Sequence, residues 1–311
     1  MDAKYSDPRK IFGAAVCEEA AKNPNIVAMS ADSGGSSGLS GFKKDFPERY
    51  FEFGIMEQGV VGIASGLAAT GRVPVFCAIA PFVTARPFEM FRNDVGYMRQ
   101  NVKIVGRNCG ISYSDLGSTH HSLEDFAIVR MIPGVAVMAP QDPEEIKSAV
   151  RAMLRHTGPV YMRIGNEPIP ELFEPGPFVI GKGRVLREGG DVTIISTGSL
   201  TGAAMEAARL LADEKIDARL VGMPTVWPID RELVIDCARK TGRIVTLEEH
   251  YVIGGLGTII QETASEECPI PVKKLGIPHT YATSGPYREL LAYYGLDPAG
   301  IAKSVREFAK G

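Results

Sequence analysis

The chain has 311 residues, 34 Lys+Arg against 37 Asp+Glu for a formal net charge of −3, and 45% hydrophobic with 23% charged residues. That balance excludes a generic polyanion binder and a disordered chain, which would be poor in apolar residues and rich in unbalanced charge. Five scattered cysteines form no CxxC pair, and no apolar run approaches the roughly 20 residues of a bilayer span, so the chain reads as cytoplasmic, without disulfide framework, zinc site or leader.

In chain order, helical periodicity over 11–21 precedes a short apolar strand at 25–30, which runs into the Gly/Ser loop 31–38. A Gly-rich apolar helix is expected over 57–70, a strand over 73–79, a helix over 87–99 and a strand over 102–105. Helix 124–131, strand 135–138, helix 143–156 and strand 160–163 follow. Between 167 and 190 the composition turns to Pro, Gly and charge, which forbids a continuous helix and marks a linker. Beyond it come strands at 192–196, 218–222 and 244–247 and helices at 202–214, 231–241 and 301–310. Strands alternating with helices predict two α/β domains with parallel or mixed sheets, residues 1–180 and 181–311, each large enough to own a core.

Several residues carry possible chemistry, and each also has an ordinary reading. The loops Gly34-Gly35-Ser36-Ser37-Gly38 and Gly254-Gly255-Leu256-Gly257 lack both the P-loop and the dinucleotide spacing. Glu57 opens an apolar helix with no Lys or Arg near it in sequence. It either complements the helix dipole or is a carboxyl of raised pKa able to share a proton with a ring nitrogen. His120 and His121 stand in a hydroxyl-rich loop, as surface residues or as a proton-transfer group. Arg9 and Arg163 lie at element ends, suited to surface ion pairs or to bidentate phosphate contacts. Phe82, Phe88 and Phe91 are core side chains or a stacking face. Glu248-Glu249-His250 follows a strand end, where an interface role is the plainer expectation.

Taken in order, Ser30-Ala31-Asp32, Phe53-Gly54-Ile55-Met56-Glu57-Gln58, the stretch from Val75 to Phe91, Gly117-Ser118-Thr119-His120, Pro140-Gln141-Asp142-Pro143-Glu144 and Pro159-Val160-Tyr161-Met162-Arg163 resemble the C-terminal half of transketolase. The resemblance spans essentially the whole chain, as a pyrimidine-binding domain followed by the transketolase C-terminal domain. It implies thiamine diphosphate as cofactor. Glu57 then matches the glutamate that protonates the aminopyrimidine ring, and Phe82, with Phe88 as the other candidate, matches the aromatic that stacks on it. Asp32 joins the cofactor side. On the substrate side, His120 matches the histidine of the Thr-His motif, and Asp115 matches a hydroxyl-binding aspartate set one residue farther from it. Arg9, Ser36 and Arg163 match a sugar-phosphate group. Where many transketolases carry a further phosphate-side histidine, this chain has Arg107-Asn108.

The family holds Mg²⁺ and the diphosphate through a Gly-Asp-Gly motif, which this sequence lacks. The resemblance therefore implies a partner, an N-terminal transketolase subunit that carries this motif and its Mg²⁺, in an α2β2 assembly with no metal ligand on this chain. It also implies transfer of a two-carbon ketol unit from a ketose phosphate to an aldose phosphate. Deoxyxylulose-phosphate synthase and the β subunit of 2-oxo acid dehydrogenases share the Glu and His motifs. A non-catalytic paralogue that binds a partner is the reading outside enzyme chemistry.

Overall fold

The computed structural model describes residues 4–310. The first part runs β1 (Tyr5–Ser6), α1 (Pro8–Lys22), β2 (Ile26–Ser30), α2 (Ser40–Asp45), β3 (Tyr50–Glu52), α3 (Glu57–Ala69), β4 (Val73–Ile79), α4 (Ala80–Val83), α5 (Phe88–Met90), β5 (Lys103–Arg107), α6 (Asp125–Val129), β6 (Ala136–Met138), α7 (Pro143–Arg155), β7 (Val160–Arg163) and β8 (Ile169–Pro170). The second continues as β9 (Arg184–Arg187), β10 (Val192–Ser196), α8 (Thr201–Asp213), β11 (Ala218–Gly222), β12 (Thr225–Trp227), α9 (Arg231–Thr241), β13 (Ile244–Tyr251), α10 (Leu256–Glu267), β14 (Val272–Ile277), α11 (Tyr287–Tyr293) and α12 (Pro298–Lys310).

Strands β2, β5, β6 and β7 are buried along their whole length, as β-branched, apolar segments must be in a parallel sheet covered on both faces. They form a seven-stranded sheet ordered β12-β6-β7-β5-β4-β2-β3, parallel except for β12. Alternating side chains divide between two cores. Ala28, Val75, Cys77 and Val105 face α1 and α7, whereas Met29, Phe76, Ala78 and Ile104 face α3. Asp7 and Asp142 cap α1 and α7, and each is followed by a proline whose missing N–H costs nothing in a first turn.

The second sheet is ordered β14-β13-β10-β11-β9, with β9 antiparallel at its edge. One of its faces packs under α8 and α12. Its other face, through Ile195, Val221 and Ile244, joins α9 and α10 in the same core as α3 and Phe76. Each domain thus keeps a core of its own, under α1 and α7 in the first and under α8 and α12 in the second, and the two share a third. Strand β12, beyond residue 181, also crosses over to pair with β6 of the first sheet.

Two other expectations change. The segment 87–99 is a short α5 followed by a π-helical turn over Phe91–Tyr97, closed by i→i−5 bonds such as Met98 N–H to the Asn93 carbonyl. Asn93, Asp94 and Gly96 are weak helix formers, which lets the turn widen. Helix α10, which the apolar periodicity does not announce, starts just after Gly254-Gly255. Its first N–H groups, from Leu256 and Gly257, donate to the buried Glu248 carboxylate, so that glycine turn is already filled by the chain's own anion. No described helix is long and apolar enough to cross a membrane.

Candidate active site

The chain steps outward from β2 to β3 and then back across β2 to β4. In open parallel sheets such a reversal leaves a crevice at the carboxyl ends of the strands. The segments that follow β2, β3, β4 and β5 carry Ser36 in a loop, Glu57 at the start of α3, Phe82 in α4 and His120 in a loop, respectively.

The loop after β2 lies hard against α1. A Cβ on Gly13 would collide with the Gly38 carbonyl, and one on Gly38, at φ +79°, with the Arg9 carbonyl, so both positions need glycine. This contact brings Ser36 and Ser37 to the end of β5. There Arg107, almost fully buried, donates to Ser36 Oγ at 2.8 Å, Ser37 Oγ at 3.0 Å and Asn108 Oδ1 at 2.6 Å. None of these partners carries charge. Burial, foremost, and the nearby Arg9 charge hold the guanidinium below its ordinary pKa, the mark of a cation with no anion to meet it. Arg9 itself is paired with Asp7 at 3.0 Å.

Beyond the end of β3, Glu57 is buried at the first position of α3, and Arg86 donates to its carboxylate at 2.8 Å. The premise of an unneutralised glutamate is corrected: its cation comes from 29 residues along the chain. The Arg86 guanidinium also lies over the Phe82 ring, 3.8 Å from its centroid. Phe82 in turn meets the edge of His120, with centroids 5.2 Å apart, and Tyr113 meets His120 at 5.5 Å. His120 Nδ1 is 2.9 Å from Thr119 Oγ1. Glu57, Arg86, Phe82, His120 and Tyr113 thus form one continuous chain of contacts.

The other expected residues fall differently. Phe88 packs half-buried against the shared core, so the aromatic face in contact with Arg86 and His120 belongs to Phe82. Asp32, at φ +55°, and Asp115 are both exposed; the Asp32 N–H donates to Glu52 Oε1 at 2.6 Å. Arg163 departs from its expected place in the phosphate group. Its guanidinium is buried, 3.4 Å from Asp125, bonded to the Glu249 backbone carbonyl and laid over Phe126 at 4.3 Å. Although burial opposes it, the charges led by Asp125 raise its pKa well above the ordinary value. Its charge is already met between the domains, and Arg107 stands by Ser36 instead. Arg86, Ser37 and Tyr113 were not anticipated. An arginine within the aromatic stretch was the available signal for Arg86. Among the described residues, no group of three or more His, Cys, Asp or Glu could hold a metal ion.

The family models Transketolase, pyrimidine binding domain and Transketolase, C-terminal domain match residues 5–169 and 181–301. The chain belongs to the transketolase family. It is 40% identical to one subunit of the apulose-4-phosphate transketolase of Phocaeicola vulgatus, over 97% of both chains. It is 39% identical to 1-deoxy-D-xylulose-5-phosphate synthase 1 of Geobacter sulfurreducens, over 97% of this chain but 48% of that enzyme. Among solved structures, a split-gene transketolase in an inactive β4 tetramer superposes with a TM-score of 0.91 at 41% identity, over 97% of each chain. This transketolase-family chain therefore carries the two domains that a split transketolase has as its separate C-terminal subunit.

Transketolases work with thiamine diphosphate, and the residues present fit its aminopyrimidine end. A flat, nitrogen-bearing group needs an aromatic face and a buried acid at once. The Arg86 guanidinium, itself flat and rich in N–H, already satisfies both, lying on Phe82 while donating to Glu57. Arg86 is about one-third exposed, so it can yield that place by swinging to water.

Proposed function

We propose that this chain, assembled with an N-terminal subunit, transfers a two-carbon ketol unit from a ketose phosphate to an aldose phosphate. The observation that carries the reading is the contiguous run Glu57–Arg86–Phe82–His120 beyond the carboxyl ends of β3, β4 and β5. Thiamine diphosphate, when bound, supplies the carbon nucleophile that holds the two-carbon fragment. Glu57 holds a proton at its carboxylate against the ring nitrogen, and Phe82 orients the ring by stacking. His120 hydrogen-bonds the sugar oxygens and moves a proton at its imidazole.

Arg107, Arg9 and Ser36 bind the phosphate end, because a desolvated guanidinium with only hydroxyl and amide partners gains most from an added anion. Asp32 and Asp115 serve the cofactor side and the substrate hydroxyls. Residues 1–180 form the pyrimidine-binding part and 181–311 the C-terminal part. The partner contributes the Gly-Asp-Gly motif, Mg²⁺ and the diphosphate site, in a cytoplasmic α2β2 enzyme. The match along almost the whole length of a named transketolase subunit, and of a chain from an inactive β4 tetramer, supports the need for that partner.

The test is a titration of thiamine diphosphate and Mg²⁺ into the chain with and without its partner. Tight binding and turnover are expected only for the mixture; full activity of the lone chain would end the split-enzyme reading. The half-length match to a deoxyxylulose-phosphate synthase favours one second reading. Carbon dioxide release from pyruvate with an aldose phosphate, without ketol transfer from xylulose 5-phosphate, would establish it instead.

A further inference from the structure

The loop bearing His120 closes on itself through an antiparallel bridge between Gly110 and Ser122, and both its neck and its tip are also tied to the other domain. At its neck, the Ile111 N–H donates to Glu249 Oε1 at 2.7 Å. Gly110, at φ +59°, lies so close that a Cβ there would strike the same carboxylate. At its tip, Ser118 Oγ donates to the Ala282 carbonyl at 2.6 Å, and the Gly285 N–H reaches the Ser114 carbonyl at 3.3 Å. Just past the loop, the Tyr251 N–H donates to the Leu123 carbonyl at 2.9 Å.

Glu249 is the hub of this arrangement. Its second oxygen accepts from Tyr287 at 2.8 Å and Ser199 at 3.2 Å, so one carboxylate ties the loop neck, the turn after β10 and α11 together. Burial raises its pKa, opposed first by the charge of Arg163. A buried carboxylate is a costly way to glue apolar surfaces, whereas it fixes several donors from separate segments within hydrogen-bond tolerance.

We propose that Glu249 is a positioning residue for His120, and that the C-terminal domain serves the reaction by holding the His120 loop in register with Phe82. The proposal rests on the reading of His120 as the substrate-side histidine. A displacement of about 1 Å at such a group is enough to cost turnover heavily.

Hydrogen–deuterium exchange on the full chain tests it, free and assembled with the partner. Two variants loosen the loop independently: Glu249→Ala, and Ser118→Ala, which removes a single tie at the loop tip and leaves the cores intact. In each, amides of residues 110–122 should exchange roughly tenfold faster or more while those of β4 and β5 keep their rates. Glu249→Gln, which retains an oxygen for the Ile111 N–H, should restore most of the protection. In the assembled enzyme, kcat/KM should fall in the alanine variants and recover in Glu249→Gln. Unchanged loop exchange in both alanine variants, or acceleration spread evenly through the chain, overturns the proposal. A loosened loop with undiminished ketol transfer overturns the role of His120 and leaves the clamp standing.

Discussion

Arg86 and Glu57 meet at 2.8 Å although a helix and a strand separate them in sequence, and the same guanidinium covers Phe82. The ion pair reaches water through Arg86, about one-third exposed, so its own worth is small, about 1 kcal/mol or less. Glu57→Gln should therefore leave the melting temperature nearly unchanged while lowering kcat of the assembled enzyme about 10²–10⁴-fold, the usual range for a lost acid–base group. A thermal melt beside a steady-state assay checks both halves. Retention of full activity would remove Glu57 from the cofactor chemistry.

Arg107 offers a different signature. Replacing a charged donor to phosphate costs about 1.5–3 kcal/mol, or roughly 10–100-fold in affinity. Arg107→Ala should raise KM for an aldose phosphate by that factor and leave KM for the same aldose without phosphate unchanged. The fold should tolerate it, because the change deletes a buried cation whose described partners are all neutral. Equal effects on both substrates would mean that the arginine supports the loop after β2 and not a phosphate.

These two residues also mark what could be read in advance. The strands β2, β4, β5 and β7 announce themselves by short β-branched runs, and Glu57 by its place at the head of an apolar, glycine-rich helix. The pairing of Glu57 with Arg86, and of Arg107 with Ser36, depends on which strand lies beside which, and periodicity within a strand says nothing of its neighbours. Arg163 shows the reverse error. A strand-end arginine looks free in sequence, but here β13 of the second domain brings Glu249 over it while α6 brings Asp125. The crossing of β12 into the first sheet is illegible for the same reason: the three residues Thr225-Val226-Trp227 carry no record of their partner strand.

The placement of Arg163 predicts a stability defect in place of a binding defect. Removing one member of a buried ion cluster leaves the other uncompensated, at about 3–5 kcal/mol. Arg163→Met should therefore shift the urea midpoint downward by an amount equivalent to that loss, since Asp125 and the Glu249 backbone lose their donor together. KM for phosphorylated substrate should stay constant in whatever fraction folds. An unaltered midpoint with a raised KM would return Arg163 to the phosphate group.

Lys103 predicts how stability follows pH. Its Nζ, fully buried, donates to Asn101 Oδ1, the His156 carbonyl and the Gly158 carbonyl, each at 2.7 Å, with no carboxylate among them. Burial pulls its pKa from 10.5 down to about 7. Between those two values the unfolded chain keeps a proton that the folded chain has released, so the unfolded state binds more protons and stability rises with pH. The contribution is complete above pH 10.5, and it is lost as the pH falls to about 7. Its ceiling is about 1.4 kcal/mol per pH unit, and any water reaching Nζ lowers it to one or a few kcal/mol in total. Denaturant midpoints of the wild type minus those of Lys103→Met, measured from pH 7 to 10, should therefore climb steadily, because methionine removes the titration and keeps the bulk. A flat difference would mean that Lys103 stays charged in the fold throughout, held by its three oxygen partners.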